Sequence, residues 1–171
     1  MGEFMKVWIL IGIAVFVAVL FLITRGKSRA VAADLNGVVD SIRKLLDSDY
    51  MKMGFLIISG GGKDQFVHFS LEKDGLMLWW PNVKVQQANI EKLKPVLNAI
   101  GYSGTVKADT EVNTETLANL SYKEYVQLSD GVYANVGHDS GEILELVKRV
   151  FKEVFGYYDF DNMKVQLSVN G

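Results

Sequence analysis

Five small groups of residues in this 171-residue chain have the types that carry chemistry. Gly60-Gly61-Gly62-Lys63 has the composition of a phosphate-cradling loop. A P-loop, however, needs a glycine five residues ahead of its Gly-Lys pair and a Ser or Thr after it. Those positions hold Ile57 and Asp64, and a carboxylate repels phosphate, so the stretch reads as a hairpin loop. His138-Asp139-Ser140 contains the residue types of a triad, but consecutive residues cannot converge on one atom; Asp139 and Ser140 read as a helix start. His68 alternates with aromatic residues along a strand and reads as a hydrogen-bonded sheet histidine rather than a ligand or base. Asp159, Asp161 and Asn162 offer hard oxygen ligands, but lack the glycine and distal glutamate of a calcium loop and read as a solvated turn. The last group is Trp79-Trp80. Adjacent strand residues face opposite sides. One indole is expected in the core and the other on the outer face of the sheet or under a helix, where, if exposed, it would anchor a partner. Both are candidate partner-binding residues.

With two histidines and no cysteine, disulfides, thiol catalysis and thiolate metal sites are excluded, and a histidine-based metal site needs carboxylate help. No catalytic, cofactor-binding or metal-binding residue is assigned, and the chain is read as a non-enzyme without cofactor. A net charge of -2 gives no pull toward nucleic acid.

The other elements hang from Val7 to Thr24, VWILIGIAVFVAVLFLIT, which carries no charge and no proline. As a helix it spans about 27 Å, near the thickness of a bilayer core. Val7, Trp8, Ile9, Leu10, Phe16, Leu20, Phe21 and Ile23 make it apolar all round, whereas a soluble helix shows a polar face. The expected organisation is a membrane anchor with its flank over residues 1–29 and one domain over 30–171. A retained signal-anchor is preferred over a cleaved signal peptide. Ala30-Val31-Ala32 has the A-x-A form, but the apolar run is long and Arg25, Lys27 and Arg29 stand in between. A pilin-like assembly helix would need an acidic residue near its start. The basic flank Arg25, Lys27 and Arg29 against Lys6 places the domain in the cytoplasm by the positive-inside rule. Met1-Gly2-Glu3-Phe4 before Met5 also has the form of a cloning scar.

Behind the flank, Ala30 to Ala33 are mostly helix formers, and Leu35, Val38, Val39, Ile42, Leu45 and Leu46 follow one helix face. Strands are expected at Phe55–Ile58, Gln65–Leu71 and Leu76–Trp80, a meander turning at the triple glycine and at Asp74-Gly75 and stopped by Pro81. Ile90, Leu93, Leu97 and Ile100 predict a helix in which Pro95 is either a kink or a late start. Thr105–Asn113 reads as loop, Thr114–Leu120 as a short helix, and Tyr122–Leu128 and Val132–Val136 as a hairpin. Asp139 and Glu142 have capping-box spacing ahead of a helix that Gly156 ends. Met163, Val165, Leu167 and Val169 alternate with polar residues in a last strand whose open ladder could take a partner strand. The fold class is α+β: one N-terminal transmembrane helix, then a single domain of antiparallel sheet packed by amphipathic helices.

Gly54-Phe55-Leu56-Ile57-Ile58-Ser59-Gly60 running into Gln65-Phe66-Val67-His68-Phe69, then Leu97-Asn98-Ala99-Ile100-Gly101-Tyr102, then Val150-Phe151-Lys152-Glu153-Val154-Phe155-Gly156 resemble the superfamily uniting type III secretion chaperones and YbjN-like proteins, the TY-Chap domains. The resemblance spans about residues 35 to 170. It implies helices on an antiparallel sheet that binds peptides or protein partners, and it carries no catalytic residue. The expected function is a single-pass membrane-anchored, non-catalytic interaction module of chaperone or adaptor kind. Its partners would be the lipid bilayer and a protein or peptide at the membrane. The alternative is a structural subunit of a membrane complex or filament, a homo-oligomer packed through Ala14 and Ala18 at small-xxx-small spacing.

Overall fold

The computed structural model describes residues 30–52, 54–62, 64–107 and 117–169. The anchor residues Val7, Trp8, Ile9, Leu10, Phe16, Leu20, Phe21 and Ile23 and the flank Arg25, Lys27 and Arg29 lie outside them, and no helix among the described residues is long and apolar enough to cross a membrane.

The domain is α+β. In chain order it runs β1 (Val31–Ala33), α1 (Leu35–Leu46), a 3-10 turn at Tyr50–Lys52, β2 (Phe55–Ser59), β3 (Phe66–Glu72), β4 (Gly75–Pro81) and α2 (Lys84–Ala99). There follow β5 (Ser103–Val106), β6 (Glu124–Leu128), β7 (Gly131–Gly137), α3 (Ser140–Arg149) with a π turn at Val150–Val154, and β8 (Met163–Ser168). The eight strands form one sheet in the order β1-β8-β2-β3-β4-β7-β6-β5, antiparallel except for the β5–β6 pair.

All three α-helices among the described residues pack on one face of this sheet. Val38, Ile42 and Leu45 of α1, Ile90, Leu93 and Leu97 of α2, and Ile143, Leu146 and Val147 of α3 meet Leu56, Ile58, Val67, Phe69, Leu78, Val132, Ala134 and Met163 from the strands. The alternating pattern of the strands and the 3-4-7 pattern of the helices are the same core seen from its two sides. A second, smaller cluster lies on the other face, where Met77, Val126, Leu128 and Tyr133 gather with Trp79, Leu117 and Leu120.

The meander β2–β3–β4 and the β6–β7 hairpin form as expected. Three details differ, and the choice left open at Pro95 is decided. Ala30–Ala33 is not helical: Val31–Ala33 pairs with β8, and Asp34, extended, caps α1 by accepting from the Gly37 amide at 2.8 Å. Pairing with a neighbouring strand here outweighs the helix preference of alanine. Pro95 lies inside a helix already under way from Lys84, so it is not a late start. The polar stretch after Tyr102 opens with β5, whose four residues are all exposed and so carry no alternation to read. The last strand is not an edge: β8 is paired on one side with β1 and on the other with β2, so the ladder expected to take a partner strand is occupied by the chain itself over Met163–Val165.

The register also aligns the strand ends. Ser168 lies opposite Phe55, Phe55 opposite Ser70, Glu72 opposite Gly75, and Leu76 opposite Gly137. The start of β2, the end of β8 and the β3–β4 turn therefore share one end of the sheet. The Gly60–Gly62 turn and Pro81 with Gly131 share the other.

Candidate functional site

The two neighbouring tryptophans part as strand geometry requires. Trp80 enters the core at 1% exposure, stacks on Phe155 with ring centroids 5.4 Å apart, and donates its indole N–H to the Gln86 carbonyl. It is thereby removed from any partner surface. Trp79 stands half-buried on the opposite face.

There the register lines up one residue from each of five strands: Ile57, His68, Trp79, Tyr133 and Val126. The Trp79 and Tyr133 rings stack at 6.4 Å, His68 tilts against Trp79 at 5.2 Å, and Phe55 meets His68 edge-on at 5.9 Å. The result is a continuous aromatic strip across the middle of the sheet, facing away from the helices.

The strip is apolar enough to alter its polar members. His68 was expected to be hydrogen-bonded, yet among the described residues its Nε2 is buried without a partner. Burial lowers its pKa from the usual 6.5 to about 4, so the ring is neutral at physiological pH. Tyr133 donates its hydroxyl to Asp130 in the β6–β7 turn. Burial raises the Tyr133 pKa, Asp130 raises it further through that hydrogen bond and its charge, and the Trp79 indole acts in the opposite sense. A neutral imidazole between rings, with a tyrosine held protonated beside it, suits recognition by stacking and shape. It does not supply a charged acid–base pair.

The remaining candidates have structural employment. In the triple-glycine turn the Gly60 amide donates to the Gln65 carbonyl, and the Gly62 amide donates to the Gln65 side chain. The Asp64 carbonyl accepts from Gln86, whose side chain is fully buried. Lys63 lies outside the described residues. A shallow hollow of about 320 Å³ beside this turn is lined by both Asp64 and Lys92, which leaves it without one sign of charge. Asp139 caps α3, accepting from the Gly141 and Glu142 amides at 2.8 and 2.9 Å. The Glu142 carboxylate, expected to complete a capping box, accepts from the Tyr122 hydroxyl and pairs with Lys123 at 3.3 Å. The hydrogen bond from Tyr122 and the pairing with Lys123 both lower its pKa. Both carboxylate oxygens of Asp159 take the Asn162 side-chain amide, closing a turn. Among the described residues no group of three or more His, Cys, Asp or Glu is placed to hold a metal ion.

Sequence reasoning singled out Trp79 and His68 but missed the strip as a unit. His68 and Trp79 are eleven positions apart and Tyr133 is more than fifty beyond; only strand order makes them neighbours. The period-2 pattern placed each on its face, and nothing in the chain announced the pairing of β4 with β7. Comparison with known proteins returned no match to a family model, to a curated protein or to a solved structure.

Proposed function

We propose that this chain is a single-pass membrane-anchored, non-catalytic interaction module, chaperone-like or adaptor in kind, with its domain on the cytoplasmic side. The observation that carries the reading is the aromatic strip on the sheet face opposite the helices, in which Phe55, His68 and Trp79 are half-buried and Tyr133 is buried behind Trp79. Tryptophan and tyrosine dominate the energetics of protein interfaces because one side chain offers a large rigid surface. The resemblance to TY-Chap domains points to the same kind of role, and the apolar stretch Val7–Thr24 would confine the module to the membrane, raising its effective concentration for partners held there.

In-cell cross-linking tests this, with the full chain run beside a version lacking residues 1–29 and beside Trp79→Ala in the full chain. One non-self protein captured by the full chain, lost with the anchor and reduced by Trp79→Ala at unchanged circular dichroism, is the expected result. A regular ladder of self-adducts alone would replace the adaptor with a structural subunit packed through Ala14 and Ala18. Turnover of a substrate by the purified domain without any added protein would overturn the non-catalytic reading.

A further inference from the structure

Eight large apolar side chains are exposed among the described residues; Val31, Val83, Val106, Tyr122 and Tyr158 lie elsewhere on the domain, and the other three stand close together. Met51 is 71% exposed, Tyr50 45% and Val169 41%. Tyr50 and Met51 form the 3-10 turn leading into β2, and Val169 follows the last residue of β8. The register brings these segments together, since Phe55 lies opposite Ser168 and a Cβ on Gly54 would touch the Ser168 carbonyl. The three side chains therefore crown one end of the sheet.

The chain enters the domain from the same end. β1 runs antiparallel to β8, with Val31 opposite Val165 and Ala33 opposite Met163. Followed backwards from Val31, the strand heads toward the level of Gln166 to Ser168, the end that Val169 and the Tyr50–Met51 turn occupy. Only five residues, Arg25 to Arg29, separate Thr24 from Ala30. That tether reaches no more than about 20 Å even when fully extended. A domain held so closely, and pointed in this way, meets the bilayer with this end first. The charges there do not make it a basic patch: Lys44 and Lys73 are exposed together with Asp47, Asp49, Glu72 and Asp74, so carboxylates outnumber the lysines. What the end offers a membrane is a tyrosine and two apolar side chains, the types that settle at the boundary between headgroups and acyl chains.

Resting on the anchored reading, we infer that the Tyr50, Met51 and Val169 end of the domain docks on the lipid surface, inserting these side chains at the acyl boundary. Docking there stands the sheet upright on the bilayer, with the aromatic strip along its side rather than against the lipid. The contact is apolar, so it needs no anionic lipid and holds on zwitterionic vesicles.

The absence of native cysteines allows single labels in the full chain. Met51→Cys, Val169→Cys, Val83→Cys and Ile13→Cys would each carry an environment-sensitive fluorophore in phosphatidylcholine vesicles containing spin-labelled lipid. Val83 is an apolar control, 39% exposed and next to Pro81 at the opposite end of the sheet. The expected result is blue-shifted emission at positions 51 and 169, with loss of most of it to a shallow acyl quencher, and solvent-like emission at 83. Solvent-like emission at 51 and 169 while 13 is quenched by a deep label overturns the docking and leaves the anchor standing. An unquenched label at 13 overturns the anchor, and the docking with it. A blue shift at 51 that no lipid quencher touches assigns the face to a second copy or another protein, and overturns the docking as well.

Discussion

His68 shows how much one ring's surroundings can change. Its imidazole lies edge-on to Phe55 and against Trp79, with Nε2 buried and, among the described residues, unpartnered. Charging it would strand a cation among rings, and its pKa falls to about 4 from 6.5. The unfolded chain therefore takes up this proton first as the pH drops. Stability from this site is complete above pH 6.5, declines as the pH falls from 6.5 to about 4, and falls no further below that. By linkage the loss amounts to about 3 kcal/mol at most. Urea midpoints measured from pH 7.5 to 4 should fall more steeply in the wild type than in His68→Phe. Parallel curves would mean that the ring titrates normally in the fold. Glycines offer a second comparison at this scale. Gly75 and Gly101 both have positive φ, at 120° and 90°. A Cβ at Gly75 would stand 2.5 Å from the Gly137 carbonyl oxygen, whereas one at Gly101 would meet nothing within 4 Å. Gly101→Ala should cost about 1–2 kcal/mol of backbone strain, read as a shift in urea midpoint. Gly75→Ala adds a backbone collision at the β4–β7 bulge and should cost clearly more.

At the scale of elements, the decisive one is the shortest. β1 is three residues long and occupies the outer side of β8. It is also the first described element, so under the proposed anchoring any pull on the tether is applied to this strand first. Deleting Ala30–Ala33 should bare the ladder of β8 and speed amide exchange over Met163–Val165, while β3 and β4 in the middle of the sheet stay protected. Unchanged exchange in β8 would show that β1 adds nothing to its protection. Lys123 is a joint of a different kind. It adopts φ of 60°, donates its backbone N–H to Asn135 and accepts at its carbonyl from Ser103, so this one residue ties β7 to β5 just before β6 begins. A lysine in that conformation costs about 1 kcal/mol, offset by two ladder-like bonds and the pairing with Glu142.

For the molecule as a whole, the proposed anchor and the domain make separable demands. The domain buries a full core between its sheet and the three helices, with Trp80, Phe69 and Phe151 among its largest enclosed side chains. The segment Val7–Thr24 lies outside the described residues, and its sequence offers no polar face. Alkaline carbonate should therefore leave the full chain in the membrane pellet and release a version lacking residues 1–29 into the supernatant. Full-length chain in the supernatant would remove the anchor from the account and return the apolar stretch to a role within the protein.

What the sequence determined by itself is local. Apolar period marked the faces of α1, α3 and the meander, glycine and aspartate chemistry marked the turns, and Asp139 marked the start of α3, because each signal depends on residues a few positions apart. It also determined that a chain without cysteine has no thiol chemistry and that Val7–Thr24 differs from every other stretch in it. Only the tertiary structure decided what depends on distant pairing. It made β1 of helix-forming residues, enclosed β8 between β1 and β2, made a strand of the fully exposed β5, and brought Tyr133 beside Trp79 and His68. The physical reason is that a strand's partner is chosen by hydrogen-bond ladders and by burial shared across the whole sheet. A side-chain pattern records which face a residue takes and not which strand lies next to it.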